Sequence, residues 1–131
     1  MPTLLELAGA TAIPANIDGI SFAPTLRGQA QPERPFLYRE FPAYGGQQAI
    51  WSGTFKAIRV GLNPPAAQTG ARKKAEPRSI ALYDLATDPT ESKNLAQSDP
   101  QKLEDLVARM RQEHTPSRDF PFRTLDAEVQ P

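Results

Sequence analysis

The chain has no cysteine in its 131 residues, one histidine and one tryptophan. Without cysteine there is no disulfide, no thiolate metal site and no cysteine nucleophile, and the compartment is left undecided. One imidazole, His114, is too few for a transition-metal centre built on clustered histidines. Basic and acidic residues balance at 15 each, a net charge of zero, so the basic excess of a nucleic-acid-binding surface is missing. No apolar run approaches the roughly 20 residues of a membrane span, and nothing at the start reads as a signal peptide.

Several catalytic patterns are also lacking. No serine stands in a Gly-x-Ser-x-Gly elbow. Asp84, Asp88 and Glu91 do not follow the spacing of a calcium loop. Gly45-Gly46 follows one strand-like run and leads into another, so it reads as a turn and not as a phosphate cradle. Arg72-Lys73-Lys74 reads as a solvated charge run, and His114 as a side chain at a helix end, where a positive charge compensates the dipole.

Apolar residues make up 39% and charged residues 23%, the profile of a soluble globular chain of one domain's length. The 14 prolines, well above the usual share of about 5%, mark much of the chain as connection. Residues 2–9 read as a short helix with Pro2 at its first position and Gly9 as its stop. Residues 10–35 hold small apolar clusters without a period and read as an ordered crossing loop, pinned to a core by Ile17, Ile20, Phe22 and Leu26.

Residues 36–41, 47–51, 55–60 and 80–85 are strand-like, the middle two joined by a tight turn at Ser52-Gly53. Residues 63–79 show no periodicity and read as an exposed insertion. Asp88, Pro89 and Glu91 predict a capped helical turn. Asp99-Pro100 repeats that start signal, and Leu103, Leu106, Val107 and Met110 then form the apolar stripe of an amphipathic helix ending near His114. The expected fold is α+β: a small antiparallel sheet of about four strands packed by the C-terminal helix, preceded by the short helix and the crossing loop. Tyr38, Phe41, Trp51 and Phe55 cannot all share one face of such a sheet.

The wording of these elements carries a resemblance. Pro2-Thr3-Leu4-Leu5-Glu6-Leu7-Ala8-Gly9, then Asp18-Gly19-Ile20-Ser21 with Pro24-Thr25-Leu26 and Gly28, come first. Phe36-Leu37-Tyr38-Arg39-Glu40-Phe41, Gly46-Gln47-Gln48-Ala49-Ile50 and Gly53-Thr54-Phe55-Lys56-Ala57-Ile58-Arg59 follow. Leu82-Tyr83-Asp84-Leu85-Ala86-Thr87-Asp88-Pro89-Thr90-Glu91-Ser92-Lys93-Asn94-Leu95, His114-Thr115-Pro116-Ser117 and Phe120-Pro121-Phe122 complete the series. In this order they resemble the C-terminal region of formylglycine-dependent sulfatases, of the arylsulfatase A-like bacterial type. Arg39 and Trp51 depart from the family pattern, standing where Trp and Arg respectively are expected.

By that resemblance, residues 1–35 correspond to the end of the family's α/β domain and its crossing loop, 36–122 to its C-terminal subdomain, and 123–131 to a tail. Complete enzymes of the family are calcium- and formylglycine-dependent and often periplasmic or secreted. The Cys/Ser-x-Pro/Ala-x-Arg motif that yields formylglycine does not occur in this sequence, and no cofactor is carried over to it. The resemblance implies a chain inactive by itself. Its partner would be the sulfatase N-terminal domain, in cis or as a split-gene product, with neither nucleic acid nor a membrane span involved. It would cover the main domain and form a wall of the cleft for a sulfated substrate. Glu40, Gln47, Lys56 and Arg59 are the candidate cleft residues. The alternative is a stand-alone module that binds sulfated glycans, through Lys56, Arg59, Arg39 and the 72–74 cluster, or a protein partner.

Overall fold

The computed structural model describes residues 1–12, 14, 17–64 and 79–126. The basic cluster at 72–74, nearly all of the 63–79 insertion and the end of the tail lie outside the described residues. The chain divides into two compact units, Met1–Pro35 and Phe36–Pro131.

In the first unit, α1 (Pro2–Leu7) starts on a proline, whose missing N–H costs nothing at a helix start. It stops at Gly9 (φ +72), with Gly9 and Ala10 donating back to Glu6 and Leu5. A second short helix, α2 (Ala23–Leu26), lies in the stretch expected to be loop throughout. The two are tied by Thr3 Oγ1, which accepts the Phe22 N–H at 3.0 Å, and by Arg27 and Glu6 at 2.7 Å. The expected apolar pins are not buried: Ile17, Ile20, Phe22 and Leu26 are 37–58% exposed, and among the described residues of this unit only Pro2 and Ala23 are buried. A unit of 35 residues has too little interior to hide four large side chains.

The second unit is the expected α+β arrangement. Four strands, β1 (Leu37–Phe41), β2 (Gln47–Ser52), β3 (Phe55–Val60) and β4 (Ser79–Asp84), form an antiparallel sheet in the order β1-β2-β3-β4. Gly53 and Thr54 are the central pair of the β2–β3 turn. Gly53 has a φ of +58, the positive angle that a type II′ hairpin demands at its first central residue.

The register sorts the side chains. Tyr38↔Ile50↔Ala57↔Leu82 lie across one face, with Gln48↔Arg59 and Ser52↔Phe55 beside them. Leu37↔Trp51↔Lys56↔Tyr83 and Arg39↔Ala49↔Ile58↔Ala81 lie across the other. The aromatics are thereby divided, Tyr38 and Phe55 on the first face, Phe41 and Trp51 on the second. Arg39 and Trp51 are diagonal neighbours on the second face, so exchanging the two residue types leaves both on the same surface.

Helix α3 (Pro100–Glu113) covers the first face. Its Asp99 cap accepts the Lys102 N–H at 3.1 Å, and Leu106 and Met110 enter the core of Ile50, Ala57 and Leu82. Lys102 and Arg109 extend over the rings of Phe55 and Phe36, at 5.1 and 4.9 Å, so that their stems cover the core margin. The expected helical turn at 88–91 is absent. Glu91 sits at a φ of +56, and the Asp88 carboxylate instead takes the Lys93 N–H at 2.8 Å and the hydroxyls of Thr90 and Ser92. Those bonds, the Lys93 N–H first, hold the Asp88 carboxyl down at about 2. Asn94 and Leu95 then pair with the Leu82 backbone, covering part of the β4 edge.

Gly46 stands where a side chain has no room. At a φ of +77, a Cβ on Gly46 would lie 2.7 Å from the Asn63 nitrogen and 3.0 Å from Leu62 Cβ. Gly46→Ala is expected to cost about 2–4 kcal/mol through combined strain and clash. The urea midpoint of the purified chain reads that loss.

Candidate functional site

The four residues expected to line a cleft do not converge. Glu40 and Arg59 stand on the face covered by α3, and Gln47 and Lys56 on the opposite face. Arg59 lines a groove of about 430 Å³ beside α3, together with Ile80, Leu103, Val107 and Arg111. The Lys56 ammonium is held by both Glu91 oxygens at 2.6 and 2.7 Å and lies 5.3 Å over the Trp51 ring. The left-handed backbone at Glu91 thus serves a contact 35 residues away in sequence.

Glu40 belongs to a different constellation. Its Oε1 accepts the Tyr38 hydroxyl, the Gln48 Nε2 at 3.1 Å and the His114 Nδ1 at 2.5 Å. The other imidazole nitrogen, Nε2, lies 2.6 Å from Asp126 Oδ1. Asp126 is buried at 2% exposure, and its Oδ2 accepts the Phe122 N–H at 2.8 Å. Phe122, 1% exposed, packs its ring against the imidazole at 5.8 Å. A carboxylate from β1, the imidazole ending α3 and a carboxylate from the C-terminal segment are thereby joined in line.

An imidazole between two carboxylates satisfies both only when each nitrogen carries a proton. Burial pulls the His114 pKa down, but its hydrogen bonds to the Asp126 and Glu40 carboxylates outweigh it and the net shift is upward. Burial, followed by the Glu40 carboxylate, drives the Tyr38 hydroxyl pKa upward as well. Both ring nitrogens are engaged by carboxylates, so the arrangement ties β1, the end of α3 and the C-terminal segment together. His114 does end the helix, as its position in sequence implies. Its pairing with Asp126 escapes a linear reading, because the only signal is a lone apolar pair, Phe122 and Leu125, in a stretch without period.

No cysteine is present, and among the described residues no group of three or more histidine or acidic side chains is placed to hold a metal ion. His114 stands between its two carboxylates, so the three cannot meet at one point. No helix among the described residues is long and apolar enough to cross a membrane.

No family model matches the sequence. The chain is 36% identical over 116 residues to a Delta 4,5-hexuronate-2-O-sulfatase of Bacteroides thetaiotaomicron, covering 85% of this chain and 21% of that protein. It is similar to the solved structure of a 2-O GAG sulfatase, with a TM-score of 0.58 and 28% identity, over 99% of this chain and 25% of the other. A structure solved in complex with its substrate, D-glucosamine-2-N,6-O-disulfate, shares the fold at a TM-score of 0.60 and 22% identity, over 85% of this chain and 22% of the other.

The raised His114 pKa fixes the sign of a pH effect. The folded state binds this proton more tightly than the unfolded chain, so its contribution is complete below about pH 6.5 and is lost as pH rises through the folded-state value. Chemical unfolding is therefore expected to show stability falling above about pH 6.5, by at most about 1.4 kcal/mol per pH unit. His114→Gln should flatten that slope. An unchanged slope in the variant would remove His114 as its origin.

Proposed function

Since the chain matches sulfatases along most of its own length and spans about a fifth to a quarter of theirs, we propose that it serves as the C-terminal subdomain of such an enzyme. In this reading it is non-catalytic by itself, covers the main domain and forms a wall of the cleft for a sulfated substrate. The observation that carries the reading is the commitment of the only histidine to two carboxylates, in a chain otherwise similar to sulfatases along most of its length. The catalytic domain is its partner, in the same polypeptide or as a separate product.

The four cleft candidates take different parts. Glu40 and Lys56 hold the wall in shape, because their charged ends are engaged by His114 and Glu91. Gln47, half-buried on the face opposite α3, is the candidate for direct contact with substrate. Arg59 contributes to the groove beside α3. Calcium and formylglycine, which the resemblance assigns to complete family enzymes, have no ligand or precursor assigned in this chain, and no reaction step is derived through them.

A direct assay tests the proposal. The purified chain, supplied with calcium and an aryl sulfate, is expected to release no sulfate above the buffer rate. Turnover clearly above that rate would overturn the non-catalytic assignment.

A further inference from the structure

The segment locked in place by His114 and Asp126 forms one wall of a second groove, of about 680 Å³, a volume typical of small-ligand sites. Phe41 and Pro42 line one side, Asp119, Phe120 and Arg123 the other, and Asn63 the floor between them. The floor ties the walls together. Asn63 Nδ2 donates to the Pro42 carbonyl at 3.0 Å, and its Oδ1 accepts the Arg123 N–H at 2.7 Å. The Asn63 N–H reaches the Gly45 carbonyl at 2.6 Å, and Thr124 N–H reaches the Leu62 carbonyl at 3.2 Å.

This rigid frame presents aromatic rings to water. Phe41 is 51% exposed, Phe120 68% and Tyr44 87%, and Tyr44 stacks on Phe41 with centroids 5.8 Å apart. Tyr44 is held at a φ of +51, a conformation that a bulky residue adopts only at some cost. Clustered exposed rings rimmed by polar groups mark a binding surface. Aromatic walls call for a ligand with apolar flat faces, and the rim calls for polar edges: Asp119 accepts hydroxyls, and the Arg123 fork suits a planar or tetrahedral anion. A pyranose ring has both, with C–H bonds on its faces and hydroxyls at its edge.

We propose that this groove is a subsite for a sugar ring bearing an anionic substituent, with the ring stacked on Phe41 and Phe120 and the substituent at Arg123. The assignment of sulfate as that substituent rests on the sulfatase reading; the saccharide assignment rests on the groove. A second protein surface covering the same rings is the competing occupant.

The test is a titration of the isotope-labelled chain, followed by backbone NMR, with a 2-O-sulfated uronate–glucosamine disaccharide and with its desulfated counterpart. Saturable shifts are expected at residues 41–46, 63–64 and 119–123. Phe120→Ala should weaken binding at least about ten-fold. Arg123→Gln should make the sulfated and desulfated sugars bind alike. Both side chains are exposed, and unchanged His114 ring resonances would show that each variant keeps its fold. No saturable shifts, shifts only outside the groove, or concentration-dependent shifts without sugar would overturn the subsite. The sulfatase-subdomain reading fails on a different observation, sulfate release by the chain alone, so a silent groove leaves it standing.

Discussion

Two carboxylates drawn to one imidazole set the arrangement of the larger unit. Glu40 comes from an edge strand, His114 from the end of the covering helix and Asp126 from the segment that follows it. Without the imidazole, the buried Asp126 would keep only the Phe122 N–H, and the half-buried Glu40 the Tyr38 hydroxyl and the Gln48 amide. With the imidazole between them, the cluster becomes a fixed point. It seats Phe122 under the helix end and returns the chain to Leu62 and Asn63. The wall at 119–123 keeps its place because its far end is anchored there.

The sheet separates two kinds of surface. Its helix-covered face is apolar at the centre and closed by Lys102 and Arg109 stems at the margin. The other face mixes Leu37, Ile58 and Val60 with Arg39, Gln47 and Lys56, the last engaged by Glu91. That asymmetry accords with a chain matching only about a fifth to a quarter of its relatives' length.

The legible parts of the fold were those whose causes are local. The stripe of Leu103, Leu106, Val107 and Met110, the Asp99 cap and the Gly53 turn each act within a few residues, and sequence pattern registers them. The Asp88–Glu91 stretch was misread because its composition suits a helical turn, whereas Glu91 leaves helical space to reach Lys56. The exposure of Ile17, Ile20, Phe22 and Leu26 could not be read either, since hydrophobicity alone does not say what volume is available to receive a side chain. Of the candidate site, Glu40 is legible as a polar strand residue, but the His114 it meets stands 74 positions further along the chain, and Asp126, on the far side of that ring, 86. No periodicity spans that separation.

The in-line clasp also restricts how this chain can drift over generations. Losing the histidine first brings two acids face to face, and losing either acid first strands a charge or a dipole in the interior. Each single loss leaves at least one of the three without its partner, so positions 40, 114 and 126 depend on one another energetically. A lineage that replaced the clasp with an apolar cluster would have to change all three nearly together.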